Sequence, residues 1–220
     1  MAPDALDVLM AIAADKFSGL DAIGERRDIW LRRFHTAAAQ FLEFERSRDP
    51  LVAQRHAEID GELRLHLGEP FTLRGRADRI DELIDGTLEV IDFKTGSPPT
   101  KGAMQAFEVP QLLLEAQMAA AGAFPQLSAA PTTALTYIKV GLGPDAFTAK
   151  PFIPHDEHDV MSAADEIARR MQRHVELFLM RDTPMPARLL PLPGQRFAGA
   201  YDHLARLAEW TAIDGGEGEP

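Results

Sequence analysis

Asp92-Phe93-Lys94 sets a carboxylate and an ammonium group two residues apart in Val90-Ile91-Asp92-Phe93-Lys94-Thr95-Gly96, a segment that reads as a β-strand ending in a turn. In an extended strand, residues i and i+2 project to one face, so Asp92 and Lys94 point together while Phe93 turns into the other layer. A second acid-bearing strand, Gly75-Arg76-Ala77-Asp78-Arg79-Ile80-Asp81, precedes it, and a hairpin would bring Asp78 alongside. Two carboxylates and an ammonium group gathered in one place are costly unless a cation or an anionic substrate balances them. That combination suits metal-assisted phosphodiester hydrolysis. Two carboxylates, a main-chain carbonyl such as that of Phe93, and waters would meet the octahedral oxygen demand of Mg²⁺. Lys94 would stand outside the ligand set, orienting or helping to deprotonate the attacking water, or stabilising charge on the phosphorane. The competing reading is a surface Asp92–Lys94 pair, with Asp78 paired to Arg76 or Arg79. Val90 and Ile91 weigh against it. Apolar residues on both faces mark a central, buried strand, where charges need a reason.

The elements that must position these groups follow from hydrophobic periodicity. Residues 4–17 and 25–48 predict helices, the second with Ile29, Trp30, Phe34, Ala37, Ala38, Phe41 and Leu42 at helical spacing, and Asp49-Pro50 stops it. Leu63, Leu65 and Leu67 alternate with Arg64 and His66, predicting a half-buried strand over 62–67. Strands over 71–80 and 87–93, joined by the hairpin dipeptide Asp85-Gly86, complete a three-stranded meander. Gly96-Ser97-Pro98-Pro99 opens an irregular loop reaching Phe107. An apolar helix over 109–123 starting near Pro110, a fourth strand over 132–140, and helices over 156–181 and 198–210 follow. Between the last two, Pro184, Pro186, Pro191 and Pro193 imply an extended crossing. The organisation expected is one domain over 1–213, with an N-terminal helical region over 1–60, a catalytic core over 61–150, C-terminal helices over 151–213, and a flexible acidic tail over 214–220.

Composition bounds the function. Hydrophobic residues at 45% and charged residues at 26% place the 220-residue chain among folded globular proteins rather than disordered ones. With no cysteine, disulfides, thiolate zinc sites, cysteine nucleophiles and cysteine-ligated iron–sulfur clusters are excluded. No apolar run is long enough to span a bilayer and the start lacks a basic signal-peptide region, so a soluble, cytoplasmic protein without membrane contact is expected. A net charge of −11 is awkward for a stand-alone nucleic-acid binder. Arginines do cluster, at 26, 27, 32 and 33, at 46, 48 and 55, at 74, 76 and 79, and at 169, 170 and 173. Most are expected on solvated helix faces or beside neighbouring acids. A strong grip on DNA would then come from a partner subunit or another region of a longer chain.

The two acid-bearing segments, with Pro110-Gln111-Leu112 opening the next helix, resemble the RecB-type branch of the PD-(D/E)XK nucleases. They are most like the C-terminal nuclease domain of AddB, a subunit of the bacterial helicase-nuclease that processes double-strand breaks. The likeness is specific over Arg74 to Ala116; Trp30-Leu31-Arg32-Arg33-Phe34 and Phe44-Glu45-Arg46 are shorter matches. The resemblance implies an α/β fold of the restriction-endonuclease kind, a mixed sheet flanked by helices, with the active site where the sheet splays. It implies Asp78 and Asp92 as ligands of Mg²⁺ or Mn²⁺, Lys94 as the catalytic lysine, and Gln111 near the metal and the DNA backbone. It also implies a Mg-dependent exonuclease acting on DNA in repair and recombination, beside a helicase-nuclease partner subunit. Two features depart from the pattern. Glu115 stands where the branch usually has a tyrosine, one helical turn after Gln111. The family's upstream histidine-bearing helix has no equivalent, and His35 lies in the wrong context, as though the chain were a fragment beginning just after that helix. Such a chain could instead be a non-catalytic scaffold or DNA-guiding module.

Overall fold

The apolar run Leu88 to Ile91, broken only by Glu89, lies in the middle of a five-stranded sheet, as its lack of a solvated face requires. The structure, a computed structural model, describes residues 2–18, 24–141, 143, 145–152, 154, 159–181 and 183–184. Met1–His174 makes one compact unit. In chain order its elements are α1 (Ala5–Ser18), α2 (Gly24–Arg48), β1 (Val52–His66), β2 (Pro70–Leu83), β3 (Leu88–Lys94), α3 (Lys101–Gln105), α4 (Gln111–Ala120), β4 (Thr132–Val140), β5 (Phe147–Pro151) and α5 (Val160–Val175). A second unit, Val175–Pro220, contributes a π-helical segment, Glu176–Met180, to the described residues. The strands stand in the order β1-β2-β3-β4-β5. The first three form the expected antiparallel meander, β4 runs parallel to β3, and β5 runs antiparallel to β4. A parallel pair needs a crossover, and α4 lies on the one between β3 and β4. This is the mixed, helix-flanked sheet of the restriction-endonuclease-like fold.

Helix α4 covers one face. Leu112, Leu113, Ala116, Met118 and Ala119 are buried against Ile80, Leu88, Val90, Leu135 and Tyr137. Beyond the helix, Phe124 packs so tightly on β1 that a Cβ at Gly61 would lie 2.6 Å from its ring, which explains a glycine in mid-strand. Helix α2 joins the other face with charge as well as hydrocarbon: Ala37, Ala38 and Leu42 are buried, and Phe41 and Phe44 meet Phe147 on β5. Arg79 donates to both oxygens of Asp81 (2.7 and 2.8 Å) and to both oxygens of Glu45 on α2. Arg48 bridges Asp81 (2.7 Å) and Glu89 (2.6 Å), and Arg55 joins Glu45 to Asp49. Burial works against the charge on Arg79, but its bonds to Asp81 and Glu45 outweigh that and raise its pKa. Three arginines expected on solvated surfaces or beside sequence neighbours thus tie α2 to the sheet.

Several elements differ from the sequence expectation. β1 begins at Val52 rather than residue 62. Its buried positions, Val52, His56, Ile59 and Gly61, lack strict alternation, because Glu58 adopts a positive φ of 54° that breaks the period of two. The loop after β3 contains α3, capped by Thr100, whose Oγ1 accepts from Ala103 N at 3.2 Å. β5 has too few apolar residues to announce itself and is held by pairing with β4. The long C-terminal helix is α5 followed by the π-helical segment; the expected helix over 198–210, the crossing over 185–193 and the tail lie outside the described residues.

Candidate active site

The pairing of β2 with β3 extends from Glu82↔Leu88 to Arg79↔Ile91 and goes no further. Asp78 and Asp92 follow that last pair, where the two strands part. Loss of the ladder would strand the Phe93 N–H, and Asp78 Oδ2 accepts it at 2.9 Å. Asp78 is therefore paired with neither Arg76, which bridges to Glu58, nor Arg79, which is taken by Asp81 and Glu45. The backbone is irregular here. Ala77 and Ile80 both enter the same core, although strict alternation would separate their faces, and the ladder passes from Ala57↔Arg79 to Ile59↔Ala77 around the left-handed Glu58. Such irregularities re-aim side chains.

Asp92 is 2% exposed, at the buried end of β3. Lys94 Nζ lies 2.9 Å from its Oδ1 and 2.8 Å from its Oδ2, so the two charges project together as the strand period requires. Only the Oδ1 contact has hydrogen-bond geometry, and Oδ2 is buried without a hydrogen bond. Gln111, in the first turn of α4, receives the same ammonium on Oε1 at 3.3 Å and donates from Nε2 to Glu115 Oε1 at 3.1 Å. Glu115 is 5% exposed, and its Oε2 is likewise buried without a hydrogen bond. Tyr137, opposite Asp92 on β4, closes the floor, with its ring centroid 5.9 Å from Lys94 Nζ. Lys150 on β5 donates to Pro99 O at 2.6 Å, pinning the loop that follows Lys94.

The electrostatics follow from burial and crowding. Desolvation raises the Asp92 carboxyl above its ordinary range despite Lys94, with Asp78 adding to the effect. Desolvation, reinforced by Asp92 and Asp78, lifts Glu115 to about 7. Desolvation also lifts the Tyr137 hydroxyl to about 12, with Asp92 and Glu115 contributing. Three carboxylates therefore face one ammonium group, Asp92 Oδ2 has only its ion pair with Lys94, and Glu115 Oε2 is buried without a hydrogen bond. An oxygen-only set with surplus negative charge fits a hard divalent cation. Among the described residues, however, no group of three or more His, Asp or Glu is gathered closely enough to form a metal cage by itself. Main-chain oxygen and water would have to complete the shell.

Each residue singled out in the sequence has a place here. Asp78, Asp92, Lys94 and Gln111 are brought together, and Phe93 is tied to Asp78 through its N–H. His35 is exposed on α2, the helix whose Glu45 and Arg48 reach Arg79 and Asp81. Tyr137 escaped notice because nothing in a strand pattern says which neighbour it meets.

A family model for the PD-(D/E)XK nuclease superfamily matches residues 2–207. The chain belongs to this superfamily. The superfamily is named for an acid followed by an acid-x-lysine triplet, and Asp78 and Asp92-Phe93-Lys94 are residues of those types. Its nucleases typically use Mg²⁺ or Mn²⁺ on nucleic acid, in keeping with the donor set above. Uncharacterized protein RT0391 of Rickettsia typhi is 32% identical over 93 residues, 42% of this chain and 11% of that protein. Uncharacterized protein RC0550 of Rickettsia conorii is 31% identical over 90 residues, 40% of this chain and 11% of that protein. These matches thus span about a tenth of the relatives' length. The solved structure of SSO0001 matches 74% of this chain and 85% of its own at 14% identity, with a TM-score of 0.33. No described helix is long and apolar enough to cross a membrane.

Proposed function

We propose that this PD-(D/E)XK chain is a Mg²⁺- or Mn²⁺-dependent deoxyribonuclease domain that hydrolyses phosphodiester bonds. The observation that carries the reading is the buried Asp92 carboxylate gathered with Lys94 and Asp78 where β2 and β3 part. Asp78 and Asp92, with the Phe93 carbonyl, would hold the cation. A bound cation would supply Lewis acidity and lower the pKa of water at the site. The chain's own groups do the rest. Asp92 holds the Lys94 ammonium, Gln111 steadies it from α4, and Lys94 donates to a phosphate oxygen as charge builds there. In the hydrolysis, a water oxygen bonds to phosphorus while a bridging P–O bond breaks.

The AddB-like segments support a finer reading: an exonuclease of double-strand-break repair and recombination, cytoplasmic, acting on DNA beside a helicase-nuclease subunit, with residues 1–213 as one nuclease domain. A second reading, a non-catalytic scaffold or DNA-guiding module, is favoured by Glu115 in the tyrosine position and by the absence of a three-ligand cluster among the described residues. Cleavage of single-stranded DNA with Mn²⁺ separates them. The nuclease reading expects activity that falls at least about 100-fold in Asp92→Asn and Lys94→Ala. Cleavage that survives both substitutions contradicts the site assignment, and a parent chain that neither cuts nor binds Mn²⁺ favours the scaffold.

A further inference from the structure

The parallel register of β3 and β4 sets Lys139 directly opposite Lys94. Asp92 and Tyr137, the pair preceding them on that face, both line the candidate site, so Lys139 projects on the same side as Lys94. Neighbouring strands stand only about 4.8 Å apart, and like charges directly opposite each other destabilise a sheet. Lys94 has its acid in Asp92. Lys139 has none: its neighbour on β5 is Thr148, its same-face neighbour on β4 is Tyr137, and no carboxylate among the described residues forms an ion pair with it. Its stem runs toward Gly141, with Cε 3.4 Å from where a Cβ there would sit. A partly buried lysine without an acid, paired in register with Lys94 at the mouth of a hydrolytic site, calls for an anion supplied from outside.

We propose that Lys139 is a substrate-binding residue that takes a phosphate of the DNA strand lying in the site, next to the phosphate engaged by Lys94. This rests on the nuclease reading above and adds the group that positions the strand. The test is fluorescence anisotropy of a short labelled oligothymidylate in EDTA across a salt series, together with Mn²⁺-dependent cleavage kinetics, for the parent chain, Lys139→Met and Lys139→Arg. Loss of one phosphate contact on a single strand lowers the slope of log affinity against log salt by about 0.7 in magnitude. The expected result is that decrease in Lys139→Met, with a severalfold rise in KM, little change in kcat, unaltered Mn²⁺ calorimetry, and recovery in Lys139→Arg. If the parent chain binds and cuts DNA in an Asp92-dependent manner while Lys139→Met keeps its slope and KM, Lys139 has no such role and the nuclease reading stands. If the parent chain neither binds nor cuts, both fall together.

Discussion

Glu115 stands one helical turn after Gln111, with one carboxylate oxygen accepting from that amide and the other buried without a donor. Its ordinary pKa of 4.5 is pushed up to about 7 by burial and by the neighbouring acids. The folded chain therefore keeps a proton on Glu115 that the unfolded chain releases between those values. Stability is fully present below pH 4.5 and declines as the pH rises to about 7. Glu115→Gln keeps the acceptor for Gln111 and removes the charge. It is expected to unfold at higher denaturant than the parent above pH 7, by on the order of 3 kcal/mol at most, and to match it below pH 4.5. Urea titrations at the two ends of that window check this; a stability difference independent of pH would contradict it. The residue was visible in the sequence only as a mismatch to the tyrosine pattern. Its burial could not be read there, because α4 is apolar around most of its circumference and Glu115 offers no local sign of which side faces the sheet.

At the scale of elements, α2 is fastened to β2 by Arg79, Glu45, Arg48 and Asp81, of which Arg79, Glu45 and Asp81 are nearly inaccessible to solvent. Removing one partner of a buried pair leaves an uncompensated charge, so Glu45→Ala is expected to cost about 3 kcal/mol, measured as a lowered urea midpoint. A loss below about 1 kcal/mol would show that Asp81 alone satisfies Arg79. Gly61→Ala drives a methyl group into the Phe124 ring and is expected to cost about 1–3 kcal/mol in the same assay. The meander, α2, α4 and β4 were legible because their apolar residues recur at 3.6 or 2.0. The first half of β1 was not, since Glu58 breaks the alternation, and β5 was not, since its order comes from a neighbour rather than from its own composition. The arginine network was hidden for a different reason. Pairing Glu45 with Arg79 joins residues distant in the chain, and local charge patterns carry no information on that.

At the scale of the whole molecule, the net charge of −11 opposes DNA, and several arginines are spent internally on Glu45, Asp81 and Glu89. The isolated chain is expected to bind single-stranded DNA no tighter than about 10⁻⁶ M at physiological salt, by anisotropy, with affinity rising as salt is lowered. Tighter binding would mean a basic path that the paired arginines do not suggest. The grouping of the candidate residues was largely legible: Asp78, Asp92, Lys94 and Gln111 come from strand period, hairpin logic and the family likeness, and the structure brings them within reach of one another. The alignment of Lys94 with Lys139 was not legible, because neither strand's own pattern says which residue of a parallel neighbour it will face. The proposed chemistry depends on Asp78 and Asp92 forming a divalent-cation site. Calorimetric titration of Mn²⁺ into the parent chain, Asp78→Ala and Asp92→Asn tests it directly: one saturable site is predicted in the parent and none in either variant. Equal binding in all three, or none in the parent, would contradict it.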